Sequence, residues 1–99
     1  MTTDLLATVD EGTIPTVSTV DEGRRALDAI DEQLLALLAH RRLVSKRVQQ
    51  LRVDAGGSRV EHSRENAILH RYSAALGDGG AELALAVLDH CRGRRANRL

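Results

Sequence analysis

Six side chains of this sequence, Arg24, Arg41, Arg52, Glu61, Arg64 and Glu65, put charge where a helix would otherwise bury apolar groups, or beside those places. From Gly23 to Asp54, GRRALDAIDEQLLALLAHRRLVSKRVQQLRVD, the residues Leu27, Ile30, Leu34, Leu37, Val44, Val48 and Leu51 recur in steps of three and four. That spacing describes one continuous apolar seam. The step between Leu37 and Val44 carries Arg41, and with Leu27 as heptad position a, Arg24 and Arg52 fall at e beside the seam. Arg64 holds a seam position in the segment that follows. A guanidinium in such a place is expensive unless an anion meets it. With Glu61 and Glu65, one helical turn apart, these arginines describe a polar pocket walled by Leu, Val and Ile. Such a pocket suits a small di-anion.

Each of these residues also has an ordinary alternative. Arg41 and Arg42 can lay their aliphatic stems along the seam and send their heads to water, and Arg52 and Arg64 can pair with Glu61, Glu65 or Asp54. Asp28, Asp31, Glu32 and Gln33 read as a solvated face. His40, His62, His70 and His90 have no metal-ligand spacing, and Ser45 and Ser63 lack the partners of a nucleophilic triad. Cys91 reads as a small core or near-surface residue.

The elements that must position these side chains are helical. The long stretch has no proline and no internal glycine, and a helix over about residues 22–54 would be roughly 50 Å long. Asp21 is its expected N-cap, with Thr19 the alternative and Glu22 near the positive end of the dipole. Asp54-Ala55-Gly56-Gly57-Ser58 stops it. A second helix is expected from near Arg59 or Val60, capped by Ser58, carrying Val60, Arg64, Ala67, Ile68, Arg71, Tyr72 and Ala75 toward the first. After Leu76-Gly77-Asp78-Gly79-Gly80 a third runs from Ala81 to about Cys91, with Asp78 or Gly80 near its cap and Leu83, Val87 and Leu88 on its apolar side. The terminal RGRRANRL is expected to fray. Residues 1–20 read as a mobile, disordered N-terminal tail and residues 21–99 as the helical domain.

One long and two short helices cannot close into a three-helix bundle, so part of the long seam would stay wet. An intertwined homodimer, in which long helices from two chains pack together, solves this. Sites would then form between subunits, and Arg24, far along the helix from Arg52, would reach one only through a partner chain. The fold class expected is therefore all-α, with one long and two short helices per chain in an intertwined homodimer.

Bulk properties agree. With a tail excluded, about 80 of the 99 residues can fold, and a core of that size supplies only a few kcal/mol without oligomerisation. The single Cys91 rules out an intramolecular disulfide framework and fits a reducing cytoplasm. There is no basic-then-apolar leader and no stretch near the ~20 apolar residues of a membrane span. Charge totals cancel, 14 basic against 14 acidic residues, and Tyr72 is the only aromatic among Phe, Tyr and Trp, so neither a general nucleic-acid coat nor a stacking platform for single strands is expected.

The run LDAIDEQLLALLAHRRLVSKRV, followed after Arg52 by a loop and then GGSRVEHSRENAILHRY, resembles the all-helical class of chorismate mutases, in particular the short actinobacterial type. The resemblance covers roughly residues 23–77. It is carried by an arginine before the apolar repeat, the Arg41-Arg42 pair, a basic residue eleven positions after Arg41, and the dipeptide Arg64-Glu65. It implies an intertwined helical dimer with two sites that rearranges chorismate to prephenate in the shikimate pathway toward phenylalanine and tyrosine, with no metal or cofactor. By position, Arg24 resembles the arginine that crosses to the neighbouring subunit's site and Arg41 the carboxylate-binding arginine of its own. Arg52 takes the place of the cation on the ether oxygen and a carboxylate. Glu65, beside Arg64, is expected on the ring hydroxyl, with Glu61 near the same group.

The reaction explains the residue types. A pericyclic rearrangement needs no nucleophile or proton relay; the protein must hold a flexible di-anion in its compact shape and stabilise charge growing on the ether oxygen. Arginine forks do both. One departure stands out: the family places a glutamine on the third helix against the ether oxygen, and this chain has no Gln after Gln50. In the actinobacterial type that goes with modest activity alone and activation by complex formation with DAHP synthase. Rearrangement of 4-amino-4-deoxychorismate and pyruvate elimination from isochorismate are the alternatives on this scaffold. From another class, a helical dimerisation or nucleic-acid-binding module predicts salt-dependent affinity but gives no reason for arginine in an apolar seam.

Overall fold

The computed structural model describes residues 16–58 and 61–92, and among these the secondary structure is entirely helical. Three helices follow one another: α1 over Val20–Asp54, α2 over His62–Leu76 and α3 over Gly80–Arg92. The chain divides between Leu34 and Leu35 into two compact units, and α1 passes from the first into the second. Residues 1–15 and 93–99 lie outside the described set. So do most of the expected tail and all of the C-terminal segment but its first residue.

In the first unit, α1 is opened by Thr19 and not by Asp21. The Glu22 amide donates to Thr19 Oγ1 at 3.1 Å, while Glu22 Oε1 accepts from the amides of Thr19 at 3.3 Å and Ser18 at 2.8 Å. Thr-x-x-Glu is a reciprocal capping box, and it satisfies donors that one Asp side chain would leave open. Asp21 stays in the first turn, where its charge complements the dipole. Thr19→Ala is expected to cost about 1 kcal/mol locally, read as faster amide exchange in the first turn of α1.

The stop occurs where the paired glycines place it. Gly57 donates to the Arg52 carbonyl at 2.7 Å and Gly56 to that of Val53 at 2.9 Å, with Gly56 at φ +88°. These are the two bonds of a Schellman motif, and its left-handed residue favours glycine. The expected start of α2 at Arg59 or Val60 lies outside the described residues. The described helix begins at His62 with Glu61 as its N-cap, so Ser58 does not cap it. Ser58 serves α1 instead, its carbonyl accepting from Arg52 Nε at 3.0 Å.

Between α2 and α3 the turn uses Gly77 and Gly79, both at positive φ. The Gly79 carbonyl accepts from the Leu83 amide at 3.0 Å, so Gly79 closes the start of α3 in place of Asp78 or Gly80. Gly80 is the first residue of α3 and has a different task. A Cβ there would lie 2.5 Å from the Tyr72 carbonyl oxygen. The two backbones meet at that point, and only glycine admits the approach.

Below that contact, Ala84 and Leu88 of α3 pack on Ile68 of α2, with Leu69 and Tyr72 at the edge. The buried side of α2 thus faces α3, whereas Ala67, Arg71 and Ala75, expected to face α1, are exposed. On α3 the expected Leu83 is also exposed, and the contact face is Gly80, Ala84, Val87, Leu88 and Cys91. Small residues at four-residue spacing draw the helices together, and a leucine at position 83 falls off that face.

The seam of α1 lies uncovered in the single chain. No residue of α1 is buried, and the seven seam residues from Leu27 to Leu51 keep 45–61% of their surface exposed. Among the described residues, no helix is long and apolar enough to cross a membrane.

Candidate active site

A cavity of about 270 Å³ opens in the second unit among all three helices. From α1 come Arg41, Val44, Ser45, Val48, Gln49 and Arg52, four residues of which repeat the three-and-four spacing of the seam. Glu61, Arg64, Glu65 and Ile68 enter from the first turns of α2 and its cap; Leu88 and Arg92 come from α3. Five of the six residues singled out in the sequence therefore line one space. Arg24 does not: it belongs to the first unit, where it is exposed.

Ion pairs orient four of the six charged residues in the lining. Arg52 is clasped at both ends of its guanidinium, Nε donating to the Ser58 carbonyl at 3.0 Å and Nη2 standing 3.5 Å from Glu61 Oε2. Glu61 makes no side-chain bond to the first amides of α2, although it occupies the N-cap. Its carboxylate faces Arg52 instead. Arg41 Nη1 points to Cys91 Sγ at 3.0 Å, and Cys91 is 1% exposed. Cys91 is a core residue that touches a cavity-lining guanidinium.

The sequence pattern places Arg92 in a fraying tail, but the structure makes it helical. It is the last residue of α3, its side chain is only 12% exposed, and it lines the cavity. Nη1 donates to Glu65 Oε2 and Nη2 to Asp89 Oδ1, the latter at 2.6 Å. Burial disfavours its charged form, but the hydrogen bond to Asp89 and the charge and hydrogen bond of Glu65 outweigh that, raising its pKa above the usual arginine value. It stays a cation at any working pH. The signal was present: Arg92 stands four residues after Leu88 and three after Asp89, the spacing that continues α3's face for one more turn.

Four guanidinium groups against two carboxylates, set in walls of Val44, Val48, Ile68 and Leu88, make a cavity with a surplus of two positive charges. Guanidinium forks set beside apolar walls suit a small di-acid. The class so defined is an all-helical domain with an arginine-rich, apolar-walled cavity of a size for a small molecule. Within that class, residues 23–89 match the family model described as chorismate mutase type II, and the chain belongs to that family. It is 40% identical over 82 residues to the intracellular chorismate mutase of Mycolicibacterium smegmatis, covering 83% of this chain and 79% of that one. The intracellular chorismate mutases of Mycobacterium bovis and Mycobacterium tuberculosis are each 41% identical over 78 residues, 79% of this chain and 73% of theirs.

Proposed function

We propose that the chain is a chorismate mutase that rearranges chorismate to prephenate, acting in the cytoplasm as an intertwined homodimer with residues 21–99 as its catalytic domain. The observation that carries this reading is the convergence of Arg41, Arg52, Arg64, Glu61 and Glu65 on one apolar-walled cavity. Arg41 and the neighbouring subunit's Arg24 clamp the carboxylates of the di-anion, with Arg64 beside Glu65 in the same cavity, which selects its folded conformer. Arg52 meets the ether oxygen as the C–O bond lengthens, and negative charge gathers opposite a guanidinium already aimed by Ser58 and Glu61. Glu65 and Glu61 take the ring hydroxyl. The new C–C bond forms as the C–O bond breaks, and no proton changes hands.

The exposed seam supports the dimer. Seven aliphatic side chains at half exposure along one helix face are the surface that a second α1 would cover. Arg24, which does not line the cavity, would then serve the partner's site. Mixing inactive Arg24→Ala and Arg52→Ala proteins is expected to restore about a quarter of wild-type activity, since half of randomly paired dimers are mixed and each holds one intact site. Recovery below a few per cent would exclude a shared site.

A continuous assay of chorismate loss by the purified protein, repeated with the cognate DAHP synthase, tests the reaction and the proposed activating partner together. Consumption of chorismate without prephenate would overturn the reading. An unchanged rate on titration with the synthase would remove the partner alone.

A further inference from the structure

We propose that Arg92 sets the substrate choice of this site, admitting a neutral hydroxyl on the ring and rejecting a cationic amine in its place; the inference rests on the mutase reading of the cavity. Chorismate and 4-amino-4-deoxychorismate share both carboxylates, so the carboxylate-binding arginines meet them alike. They differ at the ring substituent, which is a hydroxyl in one and, near neutral pH, an ammonium in the other. A bare carboxylate facing that substituent would favour the ammonium through a charge-assisted hydrogen bond.

Neither carboxylate of the cavity is bare. Glu61 faces Arg52 at 3.5 Å, and Glu65 accepts from Arg92. The second pair is the more sheltered, with side-chain exposures of 12% for Arg92 and 23% for Glu65, so its charges are weakly screened. Asp89, behind Arg92 and outside the lining, fixes the other end of the guanidinium at 2.6 Å. A carboxylate offers about four acceptor sites, so Glu65 can hold Arg92 and still accept from a hydroxyl. An ammonium in the same place gains less from Glu65 than it would from a bare carboxylate, because the fixed Arg92 guanidinium already occupies that carboxylate and repels a second cation. Like charges brought together in this way discriminate against the wrong partner.

The test is kcat/KM for both substrates with the wild type, Arg92→Gln and Arg92→Lys, each checked for folding by circular dichroism. The wild type is expected to prefer chorismate at least about tenfold, and Arg92→Gln to move that ratio about tenfold toward the amino compound, with Arg92→Lys close to wild type. A ratio that Arg92→Gln leaves within about twofold, or that Arg92→Lys moves equally, overturns the assignment, because a residue needed only for packing would lower both rates together. Equal wild-type rates on the two substrates overturn it without any variant. A wild type that turns over neither substrate refutes the mutase reading itself, a different result from an active enzyme with an unmoved ratio.

Discussion

Arg52→Ala is expected to lower chorismate turnover by at least two orders of magnitude while leaving the chain folded. Removing a preorganised donor to a developing oxyanion costs about 3 to 4 kcal/mol of barrier, or two to three decades in rate. Arg52 is preorganised in the relevant sense: its Nε is tied to the Ser58 carbonyl and its Nη2 to Glu61 before any substrate arrives. Both ties are local and partly exposed, at 31% for Arg52 and 52% for Glu61, so their loss should take little from stability. The measurement is kcat with saturating chorismate, beside a thermal melt. Turnover within threefold of wild type would show that another group meets the ether oxygen, and Arg92 would be the first to examine.

The second large effect concerns stability. Gly80→Ala places a methyl group 2.5 Å from the Tyr72 carbonyl oxygen, 2.8 Å from its carbon and 3.0 Å from Ser73 Cα. All three are backbone atoms, and no side-chain rotation relieves them. The helices must part, which opens the contact of Ile68 with Ala84 and Leu88. Overpacking of this kind costs about 1 to 3 kcal/mol, and the rigid obstacle puts Gly80→Ala at the upper end. For a domain of this size that is a fall of roughly 10 to 20 °C in Tm. Activity should fall with it, since Leu88 and Arg92 reach the cavity from the displaced helix. A Tm within 2 °C of wild type would show that α2 and α3 separate more readily than their packing implies.

The long helix and its stop were legible because apolar periodicity and a glycine pair are local signals, and the structure keeps both. Arg41, Arg52, Glu61, Arg64 and Glu65, which line one cavity, were legible as a group because charge on or beside an apolar seam is costly and needs a reason. What escaped the sequence depended on choices among local competitors. Thr19 and Asp21 both suit a cap, and the decision came from Glu22, which reaches back to the Thr19 and Ser18 amides. Ser58 suits a cap equally well, but the described helix starts at His62 with Glu61 in the cap position. The contact face of α3 turned on Gly80 and Ala84, whose small size matters only against a backbone that the sequence does not display. Arg92 escaped for a similar reason: in a run of arginines it looked like tail, and only Glu65 from another helix gives it a place.

The turn after α1 holds Arg52 twice. Its backbone carbonyl takes the Gly57 amide at 2.7 Å, and its side chain donates to the next carbonyl, that of Ser58, at 3.0 Å. Loop length and cation position are therefore one variable. A single residue inserted between Gly57 and Ser58 would touch no wall of the cavity, yet it would carry off the hook on which the guanidinium hangs. The connector is thus an adjusting screw for the guanidinium, set by backbone length and not by any side chain of the cavity wall.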